Sequence, residues 1–135
     1  MSDSAEAPPD AGRADAAAPA ARRSITAAEL RGHAIRAHKE GRLDEAFAAY
    51  RAYLRGRPRD SGVWTNLGAL LRKRGQHDAA AAAQRRALAL APEDVSILSN
   101  LGNALGDADR LEEALEIRRR VLAIRPEDPD AHAML

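Results

Sequence analysis

Apolar residues in the middle of the chain fall at helical spacing. Val63, Leu67, Leu70 and Leu71 stand at i, i+4, i+7 and i+8, one stripe of an amphipathic helix. The pattern then returns: Trp64-Thr65-Asn66-Leu67-Gly68 is answered 34 residues later by Leu98-Ser99-Asn100-Leu101-Gly102. Alanines at Ala46, Ala80 and Ala114 keep the same interval, as do prolines at Pro58, Pro92 and Pro126. A unit of this length holds two short helices and their turns. Such a hairpin cannot bury its apolar side alone and must stack on its neighbours. The expected fold is therefore all-α, a superhelical α-solenoid of about three helix–turn–helix repeats over residues 27–60, 61–94 and 95–128.

Start and stop signals agree with that parse. Thr26 and Glu29 have the spacing of a capping box, and Ile25 and Leu30 that of a hydrophobic staple. Gly41 and Gly75 mark the turns inside the first two repeats, where a left-handed backbone is expected; Asp109 stands at that place in the third and suits it less well. The second helices open with acids (Asp44-Glu45, Asp78, Glu112-Glu113) that complement the helix dipole. The prolines stop them, and Asp60, Asp94 and Asp128 are placed to cap the first helix of the next unit. Residues 1–23 are Ala, Pro, Asp and Gly without apolar periodicity, which predicts a disordered arm. Residues 129–135 begin a fourth repeat and stop at its seventh position. Most arrays finish with a solvating helix, so this end is expected to continue into a longer chain or to be covered by another molecule.

Composition removes several function classes. The chain has no cysteine, hence no disulfide, thiolate metal site or cysteine nucleophile. His33, His38, His77 and His132 show no metal-ligand spacing, and no nucleophile–base pair or glycine-rich phosphate loop is present. The reading is a non-enzyme with neither metal nor cofactor. A net charge of +1 and 3% aromatic residues argue against a nucleic-acid platform. No apolar run is long enough to span a bilayer, which argues against a membrane protein. The alanine-rich stretch before Arg22-Arg23 is preceded by Asp3, Glu6 and Asp10 and broken by Pro19, a poor secretory signal. The cytoplasm is the simplest location, and the excess of arginine over lysine (only Lys39 and Lys73) with abundant alanine reads as a GC-rich bacterial coding bias. The first two repeats are net basic and the third acidic, which reads either as ordinary solvated helix faces or as an arrangement for head-to-tail self-association.

Over residues 27–128 the sequence resembles the tetratricopeptide repeat family. The family pattern has large apolar residues at positions 4, 7 and 11 and a small one at 8. Its second helix has small residues at 20 and 27, an aromatic at 24 and proline at 32. The second repeat matches with Trp64, Leu67, Gly68, Leu71, Ala80, Ala87 and Pro92, and the third with Leu98, Leu101, Gly102, Leu105, Ala114 and Pro126. The first is looser, with Leu30, Ala34, Ala46, Tyr50 and Pro58 but His33 at position 7 and Ala37 at position 11. Gln84 and Arg118 stand where the aromatic of position 24 is expected, which predicts looser packing there.

The resemblance implies a concave groove lined mainly by the first helix of each repeat, holding a peptide or segment of a partner protein. The matching positions give Arg31, Ile35, His38 and Lys39 in the first repeat. They give Thr65, Asn66, Ala69, Arg72 and Lys73 in the second, and Ser96, Ser99, Asn100, Asn103 and Asp107 in the third. Asn66 and Asn100 share a repeat position and read in two ways. They resemble the asparagine ladder of O-linked N-acetylglucosamine transferases, where an amide donates to and accepts from a peptide backbone. Or they reflect a residue common at that position across the family. Arg31, Lys39, Arg72 and Lys73 read either as a basic patch for an acidic peptide or as ordinary solvated helix faces. The carboxylate clamp of chaperone-binding members is not expected, because Arg31, Ile35, Asn66, Ser96 and Asn100 occupy its positions and only Asn66 fits. The alternative to a free-standing scaffold is the non-catalytic arm of a larger enzyme, a glycosyltransferase or sulfotransferase, whose chemistry lies beyond Leu135.

Overall fold

The computed structural model describes residues 25–127. They form helices α1 (Ala27–Lys39), α2 (Leu43–Gly56), α3 (Ser61–Lys73), α4 (His77–Leu90), α5 (Val95–Asp107) and α6 (Leu111–Ile124). These are three helical hairpins with the expected 34-residue repeat. The arm at residues 1–23, the proposed cap at Asp128 and the start of a fourth repeat lie outside the described residues.

Local chemistry sets the helix ends. At α1 the Glu29 amide donates to Thr26 Oγ1 and the Thr26 amide donates to Glu29 Oε1, both at 3.0 Å, completing the capping box. The hydrophobic staple is not realised in the same way. Leu30 packs against the core, while Ile25 stays 68% exposed with little of its side chain covered. Asp60 and Asp94 cap α3 and α5, each accepting a backbone N–H at 3.2 Å, from Val63 and Ile97. Within each hairpin the turn residue has positive φ: 80° at Gly41, 78° at Gly75 and 62° at Asp109. The third turn thus takes the same left-handed form without glycine, at a cost of roughly 1 kcal/mol. Matching backbone bonds, Arg42 to Ala37, Gln76 to Leu71 and Arg110 to Leu105, close all three turns alike.

One core runs through the array. Val63, Leu70, Leu98, Leu101, Leu105 and Val121 are buried in it, with Tyr50 buried in the first hairpin. Each hairpin packs tightly on itself, and α4 packs more extensively on α5 than α2 does on α3. The first helices of neighbouring hairpins also touch, α1 with α3 and α3 with α5, whereas α2 and α4, and α4 and α6, stay apart. The array therefore curves, with α1, α3 and α5 on its inner side and α2, α4 and α6 splayed outside.

Packing at repeat position 24 is not loose. Gln84 is 2% exposed and Arg118 7%. Each lies across the glycine of its own first helix: a Cβ on Gly68 would sit 2.4 Å from Gln84 Nε2, and one on Gly102 would sit 3.1 Å from Arg118 Cζ. Long, thin polar side chains use the space that an aromatic ring would fill. Both bond back to the first helix: Gln84 pairs both ends of its amide with Thr65, while Arg118 reaches Asn103 through Nη2 and leaves its buried Nε without a partner.

Asp60 ties the first two hairpins together. Its Oδ2 accepts from the Tyr53 hydroxyl at 2.6 Å and lies 3.4 Å from Arg31 Nε, while Oδ1 caps α3. Burial works against the Asp60 carboxylate, but the Tyr53 hydroxyl, the Val63 amide, Arg31 and the Gly62 amide outweigh it and hold its carboxyl below the ordinary 3.8. A depressed folded-state pKa stabilises the fold above the unfolded value, and this contribution is lost as pH falls through the folded value. Asp60→Ala is expected to cost about 1–2 kcal/mol at neutral pH. Thermal denaturation at pH 7 and again below pH 3 checks this: the gap between wild type and variant should narrow in acid, and a constant gap would remove the carboxylate from the account.

Candidate functional site

The inner face of the array is built by residue size. Gly68 and Gly102 remove side chains from α3 and α5, allowing Gln84 and Arg118 to lie flat on these helices. Ala69 and Ala104 then leave room in front of them. The result is a groove of about 430 Å³ lined by Gly68, Ala69, Arg72 and Lys73 of α3, Gln84 of α4, and Asn100, Ala104 and Asp107 of α5.

A polar chain crosses its floor. Asn100 Nδ2 donates to Thr65 Oγ1 at 3.1 Å, and the Thr65 hydroxyl donates to Gln84 Oε1 at 2.6 Å. Gln84 Nε2 donates to the Thr65 carbonyl at 3.1 Å. These bonds join α3, α4 and α5 and orient the Asn100 amide along the groove wall. At one end Arg72 is hydrogen-bonded and ion-paired to Asp107. Arg72 and His77 hold the Asp107 carboxyl below its usual range against the opposing effect of partial burial. Lys73 lines the same end, and its charge, after burial, helps lower the His38 imidazole pKa. His38 Nδ1 is 2.9 Å from the Tyr50 hydroxyl, itself pushed up to about 12 by burial, so that imidazole anchors the first hairpin.

Of the residues named from the sequence, the groove brings together Ala69, Arg72, Lys73, Asn100 and Asp107. Thr65 lies beneath it as the hub of the hydrogen-bond chain. Asn103 is turned to Arg118, accepting from Nη2 at 2.5 Å. Asn66 and Ser99 are half-buried and outside the lining of this groove. Arg31 is 3.4 Å from Asp60 and serves the junction between hairpins; Lys39 is exposed at the end of α1. The four basic residues do not form one patch, since Arg31 and Arg72 each have a carboxylate of their own. Besides the small Gly68 and Ala104, the lining residue that sequence reasoning missed is Gln84. Its signal was visible, a polar residue at the aromatic position facing Gly68.

Two tetratricopeptide repeat family models match, one over residues 31–95 and the other over residues 71–135. The chain belongs to the tetratricopeptide repeat family. Solved repeat domains show the same arrangement. The first tetratricopeptide domain of Spaghetti (RPAP3), bound to the HSP90 peptide SRMEEVD, aligns at 25% identity with a TM-score of 0.73, covering 79% of this chain and 85% of that one. The first such domain of human RPAP3, determined by NMR, aligns at 25% identity and 0.70, with coverage of 79% and 84%. The Arabidopsis OM64 repeat domain aligns at 17% identity and 0.72, over 80% of this chain and 89% of that one, and supports the fold alone. Among curated proteins none matches. The array is thus a tetratricopeptide repeat solenoid, a fold suited to protein–protein interaction. Among its described residues no helix is long and apolar enough to cross a membrane.

Proposed function

We propose that the chain is a non-catalytic interaction scaffold that holds an extended segment of a partner protein along the α1/α3/α5 face. The observation that carries this reading is the groove beside Ala69, whose wall presents a fixed amide at Asn100 and whose end presents Lys73. A peptide backbone needs both a donor and an acceptor, which the amide supplies, and a carboxylate on the segment meets the lysine. The relative bound to an HSP90 peptide supports peptide binding by this fold. Its ligand does not carry over, because Arg31, Ile35, Ser96 and Asn100 stand where chaperone-binding members need other side chains.

Peptides selected by display against the full chain test the proposal. Ala69→Trp fills an exposed groove position and should weaken selected peptides by about tenfold or more, equivalent to about 1.4 kcal/mol. Lys73→Glu should lower affinity most for peptides bearing acids. Peptides that bind both variants as well as wild type would place the interaction elsewhere.

A further inference from the structure

The splayed outer helices create two clefts, α2 beside α4 and α4 beside α6, and the repeat period allows them to be compared residue by residue. The α4/α6 cleft is bridged by polar straps. Arg85 pairs with Glu113 at 2.9 Å, Arg110 with Asp78 at 3.0 Å, and Arg120 Nη2 donates to the Pro92 carbonyl at 3.2 Å. Thirty-four residues earlier none of these three pairs recurs, although Asp44, in the register of Asp78, keeps a different partner, Arg74 Nη2 at the end of α3, 3.4 Å away. Arg51 stands in the register of Arg85 but faces the place of Ala79 instead of a glutamate. Gln76 replaces Arg110. Arg86 stands in the register of Arg120, but the Pro58 carbonyl is taken by Trp64 Nε1 at 2.8 Å, and the Arg86 guanidinium lies over the indole, 4.7 Å from its centroid.

The α2/α4 cleft is accordingly open. It has a volume of about 580 Å³ and an apolar floor that includes Phe47, Trp64 and Leu71, with Arg51, Arg55 and Arg86 around it and no carboxylate in its lining. Among the described residues none of these three arginines has a carboxylate within ion-pair distance. Arg51 instead lies 5.5 Å from the Phe47 ring centroid. The cleft shares no residue with the inner groove and uses the other side of α3.

We propose that the α2/α4 cleft is a second docking site, for an acidic amphipathic segment of a partner protein. Its large apolar side chains rest on Phe47 and Trp64, and a carboxylate reaches Arg51 as Glu113 reaches Arg85 in the next repeat. The intact second junction is the template: the same arginine in the same register is satisfied there by a glutamate. The first junction keeps the arginine and withholds the acid. A partner that supplies both the acid and an apolar face completes the junction and covers two half-exposed aromatic rings.

Trp64 is the only tryptophan and reports directly from the cleft. The probe is a labelled Leu/Glu amphipathic peptide of about four helical turns, compared with its Leu/Lys counterpart by anisotropy and Trp64 emission on the full chain. The Leu/Glu peptide should bind, perturb Trp64 and weaken with added salt, and the Leu/Lys peptide should not bind. Ala79→Glu, which rebuilds the missing strap at an exposed position, should lower affinity by about tenfold or more while melting remains as in wild type, and Arg51→Glu should do likewise. Ala69→Trp in the inner groove should change nothing, so this result stands or falls apart from the inner-groove reading. Equal binding of both peptides, or indifference to Ala79→Glu, overturns the proposal. So does displacement of the probe by a synthetic peptide of residues 1–24, which would assign the cleft to the chain's own arm. A Trp64 spectrum that changes with protein concentration alone would assign it to a second copy, with the same consequence.

Discussion

Leu101→Ala is expected to lower the stability of the array by about 3–4 kcal/mol. Leu101 is 0% exposed on α5, the helix that packs against α4 and α6 and touches α3. Shortening its isobutyl group to methyl loses the transfer energy of three carbons. It also leaves a cavity that stiff helical neighbours close only in part. In a linear array each hairpin depends on the junctions beside it, so weakening α5 detaches the third hairpin from the second instead of softening the molecule evenly. The expected fall in melting temperature is on the order of 15 °C for a domain of this size. Leu111→Ala is the control: at 57% exposure it should change stability by less than about 0.5 kcal/mol. Circular dichroism melts of the two variants decide the matter. A loss below about 1 kcal/mol at Leu101 would mean that α5 is not seated in the core as described.

Gly68→Ala is expected to destabilise by about 2 kcal/mol, although alanine is the better helix former. Helix propensity alone favours the change by about 1 kcal/mol. Against this, the new Cβ would lie 2.4 Å from Gln84 Nε2 and 2.8 Å from Cδ, positions that real contacts do not adopt. The crowding reaches Gln84 Cγ as well, at 3.1 Å, so turning the amide end alone does not relieve it and Gln84 must leave Thr65, breaking both of its hydrogen bonds. Overpacking costs about 1–3 kcal/mol and each unsatisfied buried group about as much again, which outweighs the propensity gain. Gly106→Ala has the opposite expected sign, a gain of about 0.5–1 kcal/mol, because nothing lies within 4 Å of its Cβ. In a Gln84→Ala background the clash is absent and Gly68→Ala should gain about 1 kcal/mol by propensity, a coupling energy of about 3 kcal/mol in a double-mutant cycle. A stabilising Gly68→Ala would show that Gln84 does not rest on this glycine. The same variants should disturb the inner groove, since Gln84 orients Thr65 and, through it, Asn100.

The two predictions differ in how visible their basis is in the sequence. Leu101 stands on a helical stripe repeated at a fixed interval, and the stripe alone assigns it to the core. Gly68 is marked as small by the same repeat, but which side chain uses the space it leaves depends on the helix packed across it. The residue type at position 24 suggested looseness at Gln84 and Arg118. The folded chain seats both, because each has a backbone or amide partner within reach on the first helix. Ile25 went the other way: it has staple spacing, but its exposure shows that spacing does not create a surface to pack on. The basic patch drawn from Arg31, Lys39, Arg72 and Lys73 divides for a similar reason. Carboxylates distant in sequence, Asp60 and Asp107, neutralise two of its members.

The order of letters alone determined the helices, their caps, the turns and the 34-residue stacking unit, because each depends on chemistry within a few residues or on a period that can be counted. Only the tertiary structure decided which surfaces are free. The inner groove is open where Gly68, Ala69 and Ala104 meet across two repeats, and the outer cleft is open where Arg51 faces Ala79 and not a glutamate. Those are pairings between helices, and a pairing exists only once the helices lie side by side.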